Sequence, residues 1–222
     1  MEMDLFEFAR SGAAPRVQSD SQWDEPGVTL WGRMWLANVY RICARFSSEL
    51  KFGEKLLREG RLKSCRVRPR HAQATFVNRE GGTCVVNINV VFALPPDKWS
   101  AIEQVCERYG GVLFTSDEMD DDTHEALFNP SAGLLPEWQH LAFSCSHCHD
   151  PFCVYRAATL LALAAEFDRV PLRLFELRGA TRELMLTRAA QQDPDASLDL
   201  IADDAVADVF GIELVPGEGA HP

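Results

Sequence analysis

An α+β fold is the class this sequence predicts: a small antiparallel sheet with flanking helices, then a cysteine hairpin-plus-helix unit and a helical C-terminal tail. Three observations carry the prediction. "TLWGRMWLANVYRICARF" places Trp31, Trp35, Val39 and Ile42 at three- and four-residue steps, which makes one apolar helix face. "QATFVN", "REGG" and "TCVVNINVVFAL" follow as strand, turn and Val/Ile-rich strand, a hairpin signature. "FSCSHCHDPFCVYR" then gathers three cysteines and two histidines just before an Ala/Leu-rich run.

The elements follow in chain order. Residues 1–28 mix Ser, Gly, Pro and charge without periodicity, as a flexible arm does. After the first helix, "SCRVRPRH" alternates loosely, so two or three antiparallel strands are expected between residues 64 and 94. "PPDKWSAIEQVCERYGG" reads as a helix opened by Pro and Asp and closed by Gly110 and Gly111. Asp120, Asp121 and Asp122 suit a helix N-terminus; adjacent carboxylates on a helix diverge, and no Gly-centred calcium loop follows them. "YRAATLLALAAEFDRVP" is a helix ended by Pro171. A short segment, a break at Gly179 and a further helix with Thr181 near its start come next. Residues 197–210 form a last, acidic amphipathic helix. The expected organisation is an arm over 1–28, an α+β domain over 29–135, the cysteine module over 136–188 and an acidic tail over 189–222. "NPSAGLLPEW" is the best internal boundary.

Composition narrows the function. The chain has 222 residues, 46% of them hydrophobic and 25% charged, values of an ordinary globular protein with a real core. No apolar run approaches the ~20 residues of a membrane span. The start is acidic and lacks the features of a secretory signal, so a cytoplasmic location is expected. The net charge of −11 opposes bulk attraction to nucleic acid. The charge is uneven, however. Residues 51–70 hold eight Lys or Arg against two Glu, whereas the tail from Ala189 holds eight Asp or Glu and no Lys or Arg. Arg66, Arg68 and Arg70 alternate along a predicted strand and so share one face, with Arg61 close by. Such a row suits phosphate contacts. Aromatic residues are not interleaved with it, so it is a poor single-strand stacking platform.

No enzyme motif emerges. The chain lacks a Walker loop, a G-x-S-x-G elbow and an H-E-x-x-H helix, and neither a catalytic residue nor a small-molecule substrate is expected. Of seven cysteines, Cys43, Cys65, Cys84 and Cys106 are scattered and read as small core residues of a reducing compartment. Cys145, Cys148 and Cys153 are clustered instead. Cys145 and Cys148 have the Cys-x-x-Cys spacing that supplies two thiolates to zinc. Cys153 stands where the Ala/Leu helix begins, and the positive end of that helix favours thiolate. The expected metal set is Cys145, Cys148, His149 and Cys153 around Zn2+, with His147 and His140 as the other sources of the fourth ligand. A metal-free hairpin and a thiol-redox pair of Cys145 and Cys148 are the competing readings of the same residues.

The segment from Pro136 to Leu186 resembles the bacterial SWIM zinc-finger family. "FSCS", the Ala/Leu helix, "EFDRVP" and "LFELRGATRE" carry the resemblance, and "WGRMWL" is similar to that family's entry motif. The likeness covers most of residues 29–186. The family pattern is Cys-x-Cys, a spacer, then Cys-x-His. Cys145 matches the first ligand and Cys153 the third. His147 stands where the second Cys belongs, with Cys148 one position late, and Tyr155 replaces the last His. A phenol with pKa near 10 is a poor zinc ligand. Either Cys148 and His149 have taken over or the zinc has been lost. The resemblance implies a non-catalytic protein- or DNA-binding adaptor that accompanies a Swi2/Snf2-type helicase. An acidic tail docking a basic partner is the alternative role.

Overall fold

The structure, a computed structural model, describes residues 26–115, 119–129 and 133–180. Helix α1 (Leu30–Ile42) leads through a short 3-10 turn to α2 (Ser47–Arg58). Strands β1 (Leu62–Arg68), β2 (His71–Val77) and β3 (Thr83–Val90) follow. Helices α3 (Pro96–Tyr109), α4 (Val112–Thr115) and α5 (Asp121–Phe128) form a peripheral group. Strand β4 (Leu141–Cys145), helix α6 (Val154–Arg169) and helix α7 (Leu172–Arg178) complete the described chain. The sheet is an antiparallel meander in the order β1-β2-β3-β4. The α+β class is thus as the sequence predicts. The expected arm before residue 26, the helix after Gly179 and the acidic tail lie outside the described residues.

Alternation sorts the sheet into two faces. Ala72, Ala74 and Phe76 of β2 and Cys84, Val86, Ile88 and Val90 of β3 are buried on the inner face. Helix α6 lies against that face and carries α1 and α2 on its other side. It is buried almost all round, from Tyr155 to Phe167, which explains its Ala/Leu composition without polar stripes. One hydrophobic cluster runs from Leu30 to Ala180. Residues of both 29–129 and 133–180 contribute to this cluster. β4 pairs with β3 through Val86↔Cys145 and Val90↔Leu141, so the cysteine segment begins as the fourth strand of the sheet.

Helix α2 is an element that the basic composition of residues 51–70 conceals. Leu50, Gly53, Leu56 and Leu57 are buried, while its charges face water. Gly53 sits mid-helix, where glycine ordinarily costs ~1 kcal/mol relative to alanine. Its reason is close approach: a Cβ there would lie 2.7 Å from the Ala158 backbone N and 3.2 Å from the Ala157 Cβ.

A second close contact fixes α1. The Asp168 carboxylate accepts from the backbone N of Gly27 at 2.6 Å, from that of Thr29 at 2.8 Å and from the Thr29 hydroxyl at 2.7 Å. It serves as a remote anion at the helix start, satisfying donors that helix geometry leaves open. A Cβ on Gly32 would collide with this carboxylate. Asp168 of "EFDR" thus binds the residues just before "WGR" and lies close to Gly32. Trp35 adds a buried Nε1 donation to the Leu160 carbonyl at 2.7 Å and an edge contact with Phe167 at 4.9 Å.

The expected outcome for Gly53→Ala is a loss of about 1–3 kcal/mol of unfolding free energy from overpacking, although helix propensity alone favours alanine. Gly111→Ala, with nothing within 4 Å of its Cβ, should stay within ~0.5 kcal/mol of wild type. Urea unfolding midpoints measure both.

Candidate metal centre

β4 delivers Cys145 at its last position, and the ladder continues one residue further. Ser146 N donates to the Val85 carbonyl at 2.9 Å, and Val85 N donates to Ser146 Oγ at 2.9 Å. The chain then turns through His147 and Cys148 and returns to Cys153, the N-cap of α6. Two anchors hold this connection. Phe152 packs against Phe46 at 4.6 Å and Trp138 at 5.4 Å. The buried Arg156 guanidinium reaches back from α6 to donate to the Asp150 and Pro151 carbonyls.

The sulfurs of Cys145, Cys148 and Cys153 lie within 4.8 Å of one another. Zn–S bonds of ~2.3 Å place tetrahedral sulfurs ~3.8 Å apart, so this group fits a metal ion with modest contraction. The sequence reading of these three cysteines as one cluster agrees with their placement. All seven cysteines are free thiols.

No histidine joins the group among the described residues. His149 is exposed in the loop. His147 is also exposed, its ring 5.1 Å from that of Tyr155. His140 is engaged elsewhere: its Nδ1 accepts from Glu137 N at 3.2 Å and its ring meets Phe92 at 5.8 Å. Tyr155 is buried, packed on Phe76 with ring centroids 5.6 Å apart. His147 and Tyr155 line a groove of about 290 Å³ together with Phe52, Lys55, Asn78 and Arg79. His147 and Tyr155 therefore pack on each other.

A fourth sulfur does touch the group. Cys84 Sγ lies 3.6 Å from Cys145 Sγ. The sequence reading of Cys84 as a scattered core cysteine holds for its burial and misses this neighbour. Period-two alternation along β3 puts Cys84 on the inner face with Val86. That this face meets the cysteine turn follows only from the β3–β4 pairing.

The thiols differ in acidity. Burial would raise Cys145, but the backbone N–H groups of His147 and Cys148 outweigh it and hold this thiol below the ordinary value. Burial, reinforced by Cys145 beside it, pushes Cys84 up to about 12. Burial also pushes Cys153 up to about 12, with the Arg156 amide opposing and Cys148 and Cys145 adding. A bound cation would ionise coordinated thiols outright, at the cost of releasing their protons.

The arginines named from the sequence separate into two kinds. Arg66 and Arg68 are exposed on β1, paired across the ladder with Gln73 and His71. Arg61 instead bonds Glu59 at 2.7 Å and the Asn78 carbonyl at 3.0 Å. Arg70 leaves the strand for the turn, with φ of 58°. Its backbone N donates to the Glu176 carbonyl at 3.0 Å, its Nε to Val90 O at 3.0 Å and its Nη2 to Val91 O at 2.7 Å. The row predicted over Arg66, Arg68 and Arg70 is thus a pair on the outer face, with Arg70 tying three elements together.

The fold and site together define an α+β domain with a sulfur-rich candidate metal centre at a strand–helix junction. Comparison with family models, curated proteins and solved structures finds no match. No helix among the described residues is long and apolar enough to cross a membrane.

In chelator-treated, reduced protein near neutral pH, Cys145 should alkylate ahead of Cys84 and Cys153. Its lowered pKa gives it the larger thiolate fraction, and it is less buried than the other two. Peptide mass spectrometry after timed iodoacetamide quenching reads the order, and Cys84 or Cys153 reacting first would contradict it.

Proposed function

We propose that this chain is a non-catalytic SWIM-type zinc-finger adaptor, an accessory subunit that binds protein, DNA or both within a Swi2/Snf2-type helicase complex. The carrying observation is the convergence of Cys145, Cys148 and Cys153 within 4.8 Å at the start of α6. Thiolates select zinc over hard cations such as magnesium and calcium, and a cysteine-rich zinc site is characteristically closed and structural. Its role here is to lock the turn between β4 and α6 into one shape that a partner reads.

The outer sheet face supports a contact surface for a polar partner. Arg66, Gln73, Asn87 and Ser144 stand in one cross-strand row. Gln73 Nε2 donates to Asn87 Oδ1 at 2.8 Å, and Asn87 Nδ2 donates to Ser144 Oγ at 3.2 Å. This row is pre-ordered, and Arg66 and Arg68 supply positive charge at its β1 edge.

Two measurements test the reading. Protein purified without chelator is expected to carry one zinc per chain, removed in the Cys145→Ser/Cys153→Ser double variant; elemental analysis reads it. Absence of metal together with a reversible Cys145–Cys148 disulfide would make the pair a redox centre instead. For DNA, affinity should fall steeply with salt, and Arg66→Ala/Arg68→Ala should flatten the log–log slope by about two. Absence of binding at low salt would assign the DNA contact to the partner.

A further inference from the structure

We infer that Cys84 is the fourth zinc ligand and that the centre is a four-cysteine site joining β3, the β4 turn and α6. The inference rests on the metal-binding reading above and deepens it by naming the ligand set. Four observations lead to it. The Cys84 sulfur is 3.6 Å from that of Cys145, within the ~3.8 Å edge expected of tetrahedral thiolates. Cys84 is fully buried on the face that looks toward α6, so its sulfur is held on the protein side of the cluster. The backbone beneath it is fixed by pairing with Phe76 on β2. The three histidines that could compete are exposed or engaged, and none enters the sulfur group.

The geometry also says what binding must change. The mutually close set is Cys145, Cys148 and Cys153, and Cys84 touches it at the Cys145 corner. Coordination has to draw the Cys84 sulfur toward the other two. The four thiol protons leave to solvent, and the resulting thiolates gain from the positive end of α6 and from the amides of the turn. A ligand on β3 makes the site different in kind from a knuckle contained within one hairpin. It staples the middle of the sheet to the central helix, across a sequence separation of 61 between Cys84 and Cys145.

Zinc K-edge X-ray absorption on the wild-type holoprotein tests this without any substitution. Four sulfurs at ~2.3 Å and no lighter scatterer are expected. Three sulfurs with one nitrogen or oxygen at ~2.0–2.1 Å would overturn the assignment, while leaving the metal reading of the site intact. Zinc competition assays give a second reading. Cys84→Ser should weaken affinity beyond the ~10–100-fold typical of an outer-shell change, whereas His147→Ala and His149→Ala should leave it unchanged. A large loss on either histidine variant with little on Cys84→Ser would again remove Cys84 from the set. Purified protein without zinc, or with a Cys84–Cys145 disulfide, would overturn the inference, and the first outcome would take the metal reading with it.

Discussion

The approach of α2 to α6 at Gly53 constrains where the other elements sit. A helix pair can come this close only where side chains are absent or small, and Gly53 meets Ala157 and Ala158 there. With α2 seated low, α1 fits beside it, and Trp35 reaches the Leu160 carbonyl. The opposite side of α6 is left for the sheet. Each Trp, Phe or Leu buried at these interfaces contributes about 1.5–3 kcal/mol. The Asp168 carboxylate then locks the entry of α1 against the far end of α6. The N-terminus of α6, with Cys153, is consequently set by packing before any metal is considered.

This order of causes matters for the site. The sulfurs converge because β4 is zipped to β3 and because α6 is clamped by its neighbours, with Phe152 and Arg156 holding the loop between them. A metal bound on such a frame would not have to create the fold; it would fix thiols that packing has already gathered. Burial raises both Cys84 and Cys153, so a cation bound there would bear the cost of ionising them. The pair His147 and Tyr155 shows the same logic from the other side. Their rings pack together, and tyrosine brings apolar area to Phe76 that an imidazole would not match.

The arginines show how local pattern and tertiary context diverge. Alternation correctly sends Arg66 and Arg68 outward, since a strand repeats every two residues. Arg70 would continue that row if the strand continued. Pro69 and Arg70 instead form the two-residue loop between Arg68 and its ladder partner His71, and Arg70 takes a left-handed φ. Its guanidinium is then spent on the Val90 and Val91 carbonyls at the end of β3, and its stem packs on Gly179. A basic residue in a basic stretch is here a structural tie.

Much of the architecture was legible because it depends on short-range periodicity. Trp31, Trp35 and Val39 share a helix face, Val86, Ile88 and Val90 share a strand face, and Asp120 caps α5 through Thr123 N at 2.9 Å, all readable from spacing and residue type. The three clustered cysteines were legible for the same reason, being neighbours in sequence. What spacing could not supply was anything that depends on which surfaces meet. Helix α2 hid its apolar stripe among lysines and arginines. The cysteine segment enters the sheet as β4, a pairing that its spacing does not disclose. Cys84 lies 61 residues before Cys145, and only strand pairing brings it to the cluster. Sequence by itself determined the elements, the inward faces and three of the sulfurs, because these follow from local geometry. Tertiary structure alone decided the approach of Cys84 to Cys145 and the fate of Arg70, because contacts between distant residues are set by packing, not by spacing.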